Sequence, residues 1–65
     1  MDFQSGDIIL YEPNKLLSQY MLILENLTPG SNFGIVYRVV NLNTGLQAKF
    51  TYYPVDKMYI TVVAP

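Results

Sequence analysis

Leu46-Gln47-Ala48-Lys49-Phe50-Thr51-Tyr52-Tyr53 is the stretch whose reading decides the fold. Leu46, Ala48, Phe50 and Tyr52 fall on one side of it, and Gln47, Lys49 and Thr51 on the other. A period of two marks a half-buried strand, because successive side chains leave a pleated backbone on opposite faces. Asn43-Thr44-Gly45 precedes the stretch as a turn, with Gly45 placed for left-handed backbone. Pro54-Val55-Asp56 ends it and reads as a short tight link.

The same pattern extends upstream. From Phe33 to Leu42, Phe33, Ile35, Tyr37 and Val39 share one face, and Val36, Arg38 and Val40 share the other. Arg38 marks that second face as the more solvated one. Gly34 within the run predicts a bend or bulge. Thr28-Pro29-Gly30-Ser31 suits a type II turn, so Tyr20 to Leu27 reads as the strand before it. Asp7 to Glu12 is the first strand, with Ile8 and Leu10 opposed to Ile9 and Tyr11, and Pro13 ends it. Asn14 to Gln19 is expected to form a single helical turn capped by Asn14. Leu16 to Leu27 is rich in helix formers, so a longer helix competes with the strand there.

Downstream, Met58 to Ala64 is the fifth strand. Met58, Ile60 and Val62 are expected to face inward, and Tyr59, Thr61 and Val63 outward. The expectation is a single all-β domain over residues 1–65, with five strands in meander order closing into a small barrel.

Composition bears on function. The chain has 65 residues and no cysteine or histidine, so disulfides, thiol nucleophiles and the usual zinc ligands are excluded. Ser5, Ser18 and Ser31 sit in turn-like contexts without a base, and the carboxylates form no paired motif. No catalytic residue, cofactor or metal site is expected. Gly6, Gly30, Gly34 and Gly45 are isolated and form no phosphate loop. A net charge of −1 is not that of a protein held by nucleic-acid phosphates. No apolar run approaches the ~20 residues of a membrane-spanning helix. Met1-Asp2-Phe3-Gln4 lacks a signal peptide's basic region, so a cytoplasmic or virion-associated protein is expected rather than a secreted one.

Charged residues make up 14% of the chain, against about 25% in an average soluble domain, although a small domain has proportionally more surface to solvate. Self-association is the simplest use for the surplus apolar surface. Met58-Tyr59-Ile60-Thr61-Val62-Val63-Ala64 carries no charge and no proline, the features that protect an edge strand. The fourth strand has one guard, Lys49. Pairing one copy's fourth strand with the next copy's fifth satisfies both edges head to tail, and gives a ring if the rotation closes. The residues expected at that interface are Lys49, Thr51, Tyr53, Tyr59, Thr61 and Val63. The competing reading is a closed monomer, with the fifth strand paired to the first or covered by Pro13 to Gln19.

Three features carry a family resemblance: the Gly6-Asp7-Ile8-Ile9 opening, the third strand ending in Val40-Asn41-Leu42-Asn43-Thr44-Gly45, and the Pro54-Val55-Asp56 link before a last short strand. Together they resemble Sm-like and SH3-like small barrels, and the chain as a whole is similar to small Sm-like proteins of marine cyanophage. The resemblance implies rings joined through fourth and fifth strands, and single-stranded RNA on loops around a pore. The family's N-terminal helix has no counterpart in Met1 to Ser5. Tyr53-Pro54-Val55-Asp56-Lys57 stands where the family has a basic residue beside glycine, so no RNA-binding residue is carried over.

Two functional readings remain. The first is a homo-oligomeric structural or interaction module whose partners are its own copies and, for a phage protein, a host or virion protein. The second is a single-stranded nucleic-acid binder, with Tyr37, Tyr52, Tyr53 and Tyr59 as a stacking platform beside Lys49 and with Arg38 and Lys57 as contacts. Against the second, tyrosines commonly fill cores and interfaces.

Overall fold

A computed structural model describes residues 3–65. The alternating runs form five antiparallel strands, as their β-branched and aromatic content favours. These are β1 (Ile8–Asn14), β2 (Leu17–Asn26), β3 (Ile35–Asn41), β4 (Gln47–Tyr52) and β5 (Ile60–Ala64), with a 3-10 helix, Pro54–Tyr59, before β5. All five belong to one sheet in the order β4-β3-β2-β1-β5.

That order corrects the expected meander. β5 does not lie beside β4. It pairs with β1, setting Tyr11 opposite Ile60, Leu10 opposite Thr61 and Ile9 opposite Val62, with a bulge before Ile8 meets Ala64. The link explains the difference. Proline opens the 3-10 helix, the Asp56 N–H donates to the Tyr53 carbonyl at 2.8 Å, and the Ile60 N–H donates to the Lys57 carbonyl. A helical segment of six residues is a crossover rather than a hairpin turn.

The sheet curls strongly. The rings of Tyr11 in β1 and Phe50 in β4 have centroids 5.3 Å apart, although β2 and β3 lie between those strands. In a flat sheet, strands three places apart would be separated by about 14 Å. The five strands therefore form a barrel with β4 and β5 at its two margins. Ile9, Met21, Ile23, Ile35, Tyr37, Val39 and Tyr52 fill the core, and Phe3 covers it. The Phe3 ring lies 5.4 Å from that of Tyr37 and 5.0 Å from that of Tyr52, and its N–H donates to the Tyr37 hydroxyl at 3.1 Å. Tyr37 is fully buried, so this bond offsets the cost of removing its hydroxyl from water.

The helical turn expected over residues 14–19 is absent, as is the longer helix. Instead Lys15 and Leu16 form a tight turn, and β2 begins at Leu17 opposite Asn14. The Asn14 Oδ1 accepts the Leu16 N–H at 2.8 Å. An asparagine makes this kind of bond at a helix start or in a turn, and here the β1–β2 pairing selects the turn.

Other expectations change at strand ends. Phe33 was expected inward but is 75% exposed, because β3 starts only at Ile35. Leu46 and Ala48 are exposed, so Phe50 and Tyr52 alone carry the inward face of β4. Met58 and Tyr59 belong to the 3-10 helix, and Met58 is exposed rather than in the core. Ile60 and Val62 do share the inner face with Tyr11 and Ile9. The expected turns are present: Ser31 N–H donates to the Thr28 carbonyl at 3.2 Å, and Gly45 has φ +77°, where a Cβ would be strained. Phe3 to Asp7 contains no helix; the absence expected over Met1 to Ser5 lies partly outside the described residues.

Candidate functional site

The feature that folding leaves unfinished is the pair of sheet margins. β4 hydrogen-bonds to β3 alone and β5 to β1 alone, so each turns one row of backbone N–H and C=O groups away from the sheet. Such rows template pairing with another strand. The six expected interface residues divide between the margins. Lys49 and Thr51 lie on β4, opposite Arg38 and Val36, and Tyr53 follows directly. Thr61 and Val63 lie on β5, and Tyr59 ends the 3-10 helix before it. All six are exposed.

The margins differ in chemistry. β4 presents Gln47, Lys49 and Thr51, a polar row with one cation. β5 is Ile-Thr-Val-Val-Ala, with Val62 and Val63 about half exposed. Tyr53 extends the β4 margin as an aromatic step. Its ring meets that of Phe33 edge-on at 5.3 Å, and it lies over Gly34, where an added Cβ would come within 3.0 Å of the tyrosine Cε1. Gly34, read from sequence as a bend, is thus a point of close approach.

The curl brings the margins together at one place. Tyr52 from β4, Ile60 and Val62 from β5, Lys57 from the 3-10 helix and Phe3 line a partly open cleft of about 160 Å³. It is the seam of the barrel. Lys57 is the charged residue in this apolar lining.

The expected nucleic-acid residues are not gathered. Arg38 lies on the outer face of β3, and a bulge in β2 between Ile23 and Glu25 sets Glu25 directly opposite it. The Arg38 Nε then donates to Glu25 Oε1 at 2.9 Å. Lys57 stands at the seam instead. Of the four tyrosines proposed as a platform, Tyr37 and Tyr52 are buried in the core, while Tyr53 and Tyr59 remain at the surface. Among the described residues no three His, Cys, Asp or Glu side chains converge as metal ligands, and no helix is long and apolar enough to cross a membrane.

Sequence reasoning missed Leu16, Phe33, Leu46 and Met58 as exposed apolar residues. For Leu16 a signal was available, since Asn14-Lys15-Leu16 suits a side-chain-closed turn as well as a helix cap.

Fold and margins together define a class: a small five-stranded antiparallel domain with two open edges. Beyond that class, the chain matches no protein-family model, no curated protein and no solved structure.

Proposed function

We propose that this protein is a non-enzymatic, self-assembling structural or interaction module in which β4 of one copy pairs with β5 of the next. The observation that carries the reading is the sheet order, which makes β4 and β5 the two unpaired margins, β5 carrying neither a charge nor a proline. The contact joins unlike surfaces, so copies continue head to tail, and a ring is the closed form. Assembly also suits the size of the chain, since a domain of this length buries only ~60% of its unfolded surface and is marginal alone. In the setting implied by the Sm-like resemblance, the assembly would be phage-encoded and work in the host cytoplasm or the virion, where an open margin can also accept a strand from a host or virion protein.

The nucleic-acid reading draws less support. Two of its tyrosines are in the core, and its arginine is paired with Glu25.

Light scattering on the full chain tests the proposal. The wild type should have the mass of several copies. Val63→Lys places a charge on an exposed position of β5 and should lower that mass while leaving the far-ultraviolet circular dichroism unchanged. A Val63→Lys protein with the wild-type mass would sink the edge pairing.

A further inference from the structure

The cleft at the seam is apolar in body and polar at two points. Phe3, Ile60 and Val62 supply the apolar walls, and Tyr52 and Lys57 complete the lining. Tyr52 is only 4% exposed, so its ring belongs to the core. The hydroxyl of the other core tyrosine, Tyr37, accepts from the Phe3 N–H. The Tyr52 hydroxyl has no hydrogen-bond partner among the described residues. No side-chain oxygen among them is both unpaired and sealed from solvent, so this hydroxyl reaches open space. The cleft is the opening that Tyr52 lines.

Lys57 brings the charge. The 3-10 helix fixes its backbone, because its carbonyl accepts the Ile60 N–H. The salt bridge formed among the described residues is Arg38–Glu25, elsewhere, so no carboxylate of the fold answers the Lys57 ammonium.

We infer that this cleft binds a small organic carboxylate whose apolar body is the size of a single ring. The two polar groups select the head. A carboxylate accepts from a phenol hydroxyl and from an ammonium, and both bonds are charge-assisted. A cationic ligand would meet Lys57 as a like charge, and a wholly apolar one would leave the Tyr52 hydroxyl unpaired. The volume selects the body. The cleft measures about 160 Å³. An apolar cavity of about 150 Å³ takes up benzene. A long acyl chain is too large for it. The inference does not rest on the edge pairing, since the cleft lies among inward side chains and not along the unpaired backbone rows.

The test uses benzoate as the probe and methyl and ring NMR signals of the full chain as the readout. Benzoate should shift the Ile60 and Val62 methyl signals and the Tyr52 ring signals, with a Kd on the order of 1 mM for so small a ligand. Benzamide has the same shape without the charge and should bind roughly 10-fold more weakly. Lys57→Met keeps the apolar stem and should bring the two probes within about 2-fold of each other. Tyr52→Phe should weaken benzoate roughly 3- to 10-fold with circular dichroism unchanged. Unmoved Ile60 and Val62 signals overturn the inference. So does equal affinity of the wild type for benzoate and benzamide, or a preference that survives Lys57→Met. Affinity that keeps rising from hexanoate to decanoate is surface adsorption and overturns it as well. Binding by Val63→Lys but not by the wild type means that a neighbouring copy fills the cleft, which also overturns it. The mass of Val63→Lys is read separately by light scattering, so failure here and failure of the edge pairing are distinguishable.

Discussion

β3 and β5 are written in similar residues and have opposite fates. Ile35-Val36-Tyr37-Arg38-Val39-Val40 is an interior strand whose inward residues are almost wholly buried. Ile60-Thr61-Val62-Val63-Ala64 is a margin, and no residue of it is fully buried. The interior strand carries an arginine and the margin carries none, the reverse of ordinary edge protection. Strand chemistry alone therefore does not decide burial. What decides it is whether a neighbour stands on both sides.

The largest effect should appear where the two strands are cut equally. Tyr37→Ala removes a fully buried ring from β3 and should cost about 3–5 kcal/mol in urea unfolding, enough to unfold much of a domain this small. Val63→Ala, in the same assay at a dilution where copies are separate, should cost under about 1 kcal/mol, because the side chain is half exposed. A similar cost at both sites would erase the contrast between interior and margin.

The next effect tests the turn that folds β4 onto β3 and so makes β3 interior. Gly45→Ala forces a Cβ into left-handed backbone at φ +77° and should destabilise by about 1–2 kcal/mol. A neutral result in thermal melts would mean that the turn relaxes to another form.

Arg38→Gln should be smallest, at about 0–1 kcal/mol, since both partners of its ion pair are substantially exposed and salt screens them. High salt should shrink even that difference. A larger loss would mean that the charge on β3 is structural in a way its exposure does not suggest. A separate check sharpens the comparison at the margin: the wild-type melting temperature should rise with protein concentration, and that of Val63→Lys should rise less or not at all.

What was legible in the sequence follows from the range of the forces involved. The inward set Ile35, Tyr37 and Val39 could be read because a period of two is local. Gly30 and Gly45 could be read because proline-glycine and asparagine-threonine-glycine state their turns within four residues. Asn14 was ambiguous because a helix cap and a turn use the same side-chain hydrogen bond, and only pairing between β1 and β2 decides between them. The pairing of β5 with β1 was legible only as the competing reading, and the choice between the two was not, for a deeper reason. The choice of β1 depends on how far the 3-10 helix carries the chain and on the curl that closes the core, and both are properties of the whole fold. The candidate interface was legible as a set of outward residues. Its division between the fourth and fifth strands was legible too, as was the inward side of Tyr52, one residue before the exposed Tyr53.

The pairing of Ile8 with Ala64 also governs the order of events during synthesis. β1 leaves the ribosome before its second neighbour, since β5 is the last of the five strands in chain order. Until Ala64 clears the exit tunnel, one side of β1 is unpaired and the apolar lining near Phe3 and Tyr52 lacks Ile60 and Val62. Loop closure over such a separation is slow. The nascent chain therefore cannot complete its barrel stepwise, and a ribosome stalled before Ile60 would display an open hydrophobic core to whatever chaperone or sister chain is nearest.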